Sequence, residues 1–164
     1  MAIRQITVER LSLISSKPFA EVIANLEAAV GHPDMREFGK HVAAASSWGQ
    51  LVEVVQSAIG PSGFMEFARF NLGQIIEKER GPSAPKILRL VVGNPLIMKQ
   101  MAEHVPDTAS YAPVTLLIDE REDGVHLSYD LMSGYLDSYG NLAALEVART
   151  LDAKVEALLR AAAY

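Results

Sequence analysis

The stretch from Leu88 to Met101, L-R-L-V-V-G-N-P-L-I-M-K-Q-M, constrains the fold more than any other part of the chain. It reads as a buried strand, a one-glycine turn and a helix, and almost everything recognisable in the sequence lies within about 40 residues of it, on the scale of one βαβ unit. Asn94 is a preferred N-cap, because its side-chain oxygen can accept from an open amide of the first turn. Pro95 suits the first helical position, where its missing N–H is not needed and its φ is already helical. Gly93 allows the backbone to turn sharply out of the strand. Ile97, Met98, Met101 and Val105 then continue with a helical period, and the helix should end before Pro106.

The flanking segments supply both periodicities. Ile6 and Val8 alternate, as do Leu11 and Leu13, one residue out of phase, so a strand bulged near Glu9–Arg10 is expected. Phe19, Val22, Ile23, Leu26, Ala29 and Val30 mark an amphipathic helix capped at Ser16 and closed by Gly31 and Pro33. Residues 34–60 read as two more helices, the second opened by a Ser47–Gln50 capping box. Phe64 to Leu72 is a strand, and Gly73 to Lys86 fits either a strand extension or a short helix. Val114 to Ile118 is an interior strand, Arg121 to Gly124 a hairpin turn, and Val125, Leu127 and Tyr129 the buried side of its return strand. Leu131 to Tyr139 is a turn or short helix. Asn141 caps a last helix about 30 Å long, with a stripe at Ala144, Ala148, Leu151, Val155, Leu158 and Ala162.

A chain of 164 residues fits one domain, 1–164, with 31–60 as a helical elaboration. Only 21% of the residues are charged, and the amphipathic helices outnumber what one small sheet face can cover, so a homodimer is expected. The net charge of −5 and the lack of a basic block argue against a nucleic-acid surface. With no cysteine, no disulfide or thiolate metal site can form. No window reaches the roughly 20 apolar residues of a membrane span. The N-terminal ten residues lack a signal-peptide core. A soluble cytoplasmic protein is therefore expected.

V-V-G-N-P-L-I-M, then Y-A-P-V-T-L-L-I-D-E, then E-D-G-V-H-L-S-Y-D, in that order and spacing, resembles the bacterial family known as domain of unknown function 302. The likeness is firmest from Phe64 to about Tyr135. It implies an α+β fold: a curved antiparallel sheet of about four or five strands, helices packed on one face, of the TATA-binding-protein-like type. The chain departs from the short family pattern in the segment 31–60 and in its long C-terminal helix. The resemblance implies no activity, cofactor or catalytic residue.

The residues themselves offer few chemical constellations. His32, His41, His104 and His126 lack metal-ligand spacing and read as separate surface or capping residues. Asp119, Glu120, Glu122 and Asp123 flank a hairpin tip without a calcium-loop spacing, so solvated turn charges are expected and no metal site. No nucleophile-elbow, zincin, phosphate-loop or dinucleotide motif is present. The turn at Gly93 and Asn94 is the candidate site, because amides at a helix start attract anions. If the three central strands have similar lengths, Tyr111, Tyr129 and Asp130 come near it, and Arg69 joins as a further polar group. Tyr129 should have a buried ring whose hydroxyl needs a partner: a small polar or anionic ligand, Asn94 or a water. Three functions fit: a small-ligand-binding or non-catalytic module, an enzyme of unknown reaction using Tyr111, Tyr129, Asp130 and Arg69, or a protein-interaction module without a pocket.

Overall fold

The computed structural model describes residues 3 and 5–164. Five strands, β1 (Arg10–Ser15), β2 (Met65–Asn71), β3 (Ile87–Gly93), β4 (Val114–Arg121) and β5 (Gly124–Asp130), form one open antiparallel sheet in the order β1-β5-β4-β3-β2. Alternation fixes the register. Leu90 lies opposite Leu116, Leu116 opposite Tyr129, Ile118 opposite Leu127, and Leu127 opposite Leu13. All are buried, so one side of the sheet is continuously apolar and a one-residue slip of any central strand would expose it. The β4–β5 hairpin turns at Glu122–Asp123, as its sequence indicates. Gly124 there has φ +137°, and a Cβ on it would sit 2.6 Å from the Ser15 carbonyl oxygen, so only glycine fits.

Among the described residues seven α-helices complete the fold: α1 (Phe19–Ala29), α2 (Met35–Ala44), α3 (Trp48–Ala58), α4 (Gly73–Arg80), α5 (Pro95–Ala102), α6 (Met132–Asp137) and α7 (Leu142–Ala163). The apolar side of the sheet is covered by α1, α5, α6 and α7, which share its core through Val22, Leu26, Met101, Met132 and Leu136. The stripe of α7 expected from sequence, Ala144 through Ala162, is buried throughout. Asn141 caps it by accepting from the Ala144 amide at 3.0 Å. Leu151 and Leu158, 3% and 4% exposed, are fully committed to this core; burying each stabilises the fold by about 1.5–3 kcal/mol.

The helices α2 and α3 leave the body and return at one point. The Phe64 carbonyl accepts from both the Gly31 amide at 2.9 Å and the Gly60 amide at 2.8 Å. Side chains at either glycine would strike the opposite backbone, at 2.0 and 2.5 Å, so the root of the excursion needs both. Asp34 caps α2 and Ser47 caps α3. Gln50 reaches back to the amide and hydroxyl of Ser46, one residue before the position a capping box uses.

Two boundaries differ from the sequence reading, and a third segment takes one of the two forms it left open. β1 starts at Arg10, and Ile6 is 39% exposed, so the alternation of Ile6 and Val8 lies outside the sheet and no bulge is needed. α1 begins after Pro18 without a side-chain cap, because Pro18 rather than Ser16 holds the N-cap position and offers no side-chain acceptor; Ser15 nearby is buried, its hydroxyl donating to the Ala163 carbonyl at 2.6 Å. The ambiguous segment after β2 is the helix α4.

Candidate functional site

Most of the side of the sheet opposite these four helices is bare, α2 and α3 covering only the start of β2 through Phe38, Val55 and Met65, and a cleft lies on the bare part. Alternation that turns Leu90, Leu116 and Tyr129 inward turns Arg89, Leu117 and Ser128 outward. One end of this face is flanked by the segment after a 3-10 turn (Pro106–Ser110) and by α6. The resulting cleft has a volume of about 520 Å³, inside the range of roughly 300–1,000 Å³ usual for small-molecule sites.

Its aromatic wall is a pair of tyrosines. The rings of Tyr111 and Tyr135 stack with centroids 4.5 Å apart and planes inclined by 15°. The Tyr111 hydroxyl shares a hydrogen bond of 3.2 Å with that of Tyr139. That bond, with burial and the Asp107 carboxylate, holds the Tyr139 hydroxyl well above its usual pKa. Burial, then the charge of Asp130, pushes Tyr135 upward. Beside this wall Arg10 donates two hydrogen bonds to Asp130, at 2.5 and 2.9 Å. The fork-to-fork contact lowers the Asp130 carboxyl below its ordinary range and raises the Arg10 guanidinium. Arg89 lies over the Phe70 ring at 5.6 Å and has no carboxylate partner among the described residues.

Of the sequence-derived candidates, the structure brings Tyr111, Tyr129 and Asp130 to this cleft. Gly93 and Asn94 lie at a separate, smaller and mostly apolar hollow of about 90 Å³, with Met98, Met101 and Leu151. Only Ala112, Pro113 and Val114 border both. The amide-rich turn is also occupied from within: Asn94 accepts from the Leu96 amide at 2.9 Å and donates to the Gly63 carbonyl at 3.0 Å. Arg69 is elsewhere, held by Glu66 and Glu27. Those carboxylates, Glu66 first, raise its pKa further. Tyr129 is 2% exposed, and its hydroxyl partner is a carboxylate of α7 rather than Asn94. The hydroxyl donates to Asp152 at 2.7 Å. Burial, reinforced by that carboxylate, drives its pKa far upward.

Sequence reasoning missed Arg10, Arg89, Thr115, Ser128 and Tyr135. The available signal was the polar half of each strand's alternation, Arg89, Thr115, Ser128 and Asp130, which reads equally well as a solvated surface. Among the described residues no three His, Asp or Glu side chains gather to hold a metal ion. No helix among them is long and apolar enough to cross a membrane.

The model of the family described as domain of unknown function DUF302 matches residues 38–162. The match takes in α3 and nearly all of α7, which the sequence reading set apart from the short family pattern. No curated protein matches the chain. The fold is similar to the crystal structure of an uncharacterized conserved protein DUF302 from Bacillus stearothermophilus, with a TM-score of 0.65 at 12% identity over 93% of this chain and 97% of that one.

Proposed function

The chain belongs to the DUF302 family, and from that premise we propose that it is a non-catalytic module holding a small polar or anionic ligand on the bare side of its sheet. The observation that carries this reading is the cleft of about 520 Å³ in which a stacked tyrosine pair, two arginines and an aspartate converge on an otherwise regular sheet. A catalytic reading is less well supported. Efficient proton transfer needs a group poised near the working pH, and here Asp130 is held ionised by Arg10 while Tyr135 is pushed upward. We further propose that the protein is a homodimer, a reading supported by the exposed apolar side chains Ile14 and Phe70 on that same sheet face.

Protein-observed NMR with a library of small polar and charged fragments tests the ligand site. Binders are expected to perturb the amides of Val91, Thr115, Leu117 and Ser128 together. Perturbations confined to the hollow at Met98 and Leu151, or none anywhere, would overturn the assignment.

A further inference from the structure

We propose that the cleft selects planar monoanions, an aromatic or conjugated carboxylate, with Arg89 taking the carboxylate and the Tyr111–Tyr135 pair flanking the ring. The inference rests on the ligand-binding reading of the same cleft and names what that ligand is.

Charge is the first argument. Three side chains in the cleft carry full charge: Arg10, Arg89 and Asp130. Arg10 and Asp130 neutralise one another through two hydrogen bonds. Arg89 is left, so the cleft presents one net positive charge on a chain whose net charge is −5. The Arg89 Cζ lies over the Phe70 ring, 5.6 Å from its centroid. Contact with an aromatic face does not use up the guanidinium N–H donors as a carboxylate would, so they remain for one.

Geometry is the second. Arg89 pairs with Leu117 across β3 and β4, and Leu117 pairs with Ser128 across β4 and β5. Arg89 and Ser128 are thus two strand spacings apart, roughly 10 Å, the length of a ring bearing a conjugated carboxylate. Leu117, half-buried between them, gives such a ring an apolar floor. Asp130 follows Ser128 by two residues on the same strand face, and its neighbour Tyr135 begins the aromatic wall. A cation at one end, an aliphatic floor and tyrosine rings at the other end match an aryl carboxylate. They do not match a dianion, whose second charge would meet Asp130.

NMR titration with benzoate, cyclohexanecarboxylate and benzamide tests this. Benzoate is expected to shift the Leu117 and Ser128 amides. Benzamide should bind about tenfold more weakly, from loss of a charge-assisted bond. Cyclohexanecarboxylate should bind about fivefold more weakly, from loss of ring stacking. Arg89→Gln, at an exposed position, should abolish the preference for benzoate over benzamide. Tyr135→Leu should abolish the preference over cyclohexanecarboxylate, and Tyr135→Phe should keep it. Equal binding of benzoate and benzamide by the native chain, or an unchanged ratio in Arg89→Gln, overturns the proposal. Neutral or cationic fragments seated in the cleft would overturn the ligand class and leave the ligand-binding reading standing. A cleft that no fragment reaches would overturn both.

Discussion

Asp152 is only 8% exposed, yet it is a carboxylate on a helix, and three donors make that possible. It accepts from the Tyr129 hydroxyl at 2.7 Å and from the amides of Met132 and Ser133 at 2.8 and 3.1 Å. The amides open α6, so Asp152 caps a helix from twenty residues away while tying it to β5. Buried donors stripped of an acceptor cost more than a single lost bond. Tyr129→Phe is therefore expected to cost about 1 kcal/mol in urea unfolding, and Asp152→Ala about 3 kcal/mol. Because Asp152→Ala already removes the shared bond, the double variant should fall well short of the sum. Equal costs for the two single variants, or strict additivity, would dismiss this node. The burial of Tyr129 was legible from the alternation Val125, Leu127, Tyr129; its partner was not, because pairing across 23 residues depends on how α7 is rotated. A signal did exist: Asp152 stands at i+4 from Ala148 and three before Val155, inside the buried stripe. A charge at such a position announces buried donors.

Local chemistry decided most of the elements, which is why the sequence showed them. The caps at Ser47, Asn94 and Asn141 each act within three residues, so they need no tertiary information. Elements set by distant contacts were harder to read. β1 begins where its partner Asp130 ends β5, and Ile6 and Val8, though alternating, have no strand to meet. Asn94 combines both kinds of contact, since its amide nitrogen also holds the Gly63 carbonyl beside the root of the α2–α3 excursion. Loss of the cap alone costs about 1 kcal/mol; with the Gly63 bond gone as well, Asn94→Ala should cost about 2 kcal/mol. Asn94→Ser keeps a cap oxygen and loses only the donor to Gly63, so it should fall between the native chain and Asn94→Ala in thermal melts. If Asn94→Ser is as damaging as alanine, the cap contributes little and the bridge to Gly63 is what matters.

At the scale of the whole molecule, one side of the sheet is buried under helices and most of the other is bare, and the proposed self-association rests on that asymmetry. The order of β3, β4 and β5 could be read from a helix connection and a tight hairpin. Placing β1 beside β5 and β2 at the far edge could not, because edge positions are chosen by packing across the whole sheet. For the same reason the outward row of Arg89, Leu117 and Ser128 could not be told from ordinary surface until the strands were aligned. Five strands of about seven residues span a flat area on the order of 500 Å². Side-chain relief brings this near the roughly 800 Å² that each partner contributes to a stable interface. Ile14 and Phe70 are 47% and 45% exposed on this face, which is more apolar surface than the cleft alone uses. Two of its charged pairs, Arg10 with Asp130 and Arg121 with Asp119, are neutralised within the chain, which leaves Arg89 as the unpaired charge that a ligand in the cleft would neutralise before two copies meet here. A second copy laid across the face would roof the cleft. Light scattering should therefore report twice the 17.8 kDa chain mass. Ile14→Lys places a charge on the face without disturbing the core, and should return the mass to that of one chain while leaving the thermal melt of the monomer cooperative. A native protein that stays at single-chain mass at high micromolar concentration has no such dimer, and an Ile14→Lys protein that remains paired associates through another surface.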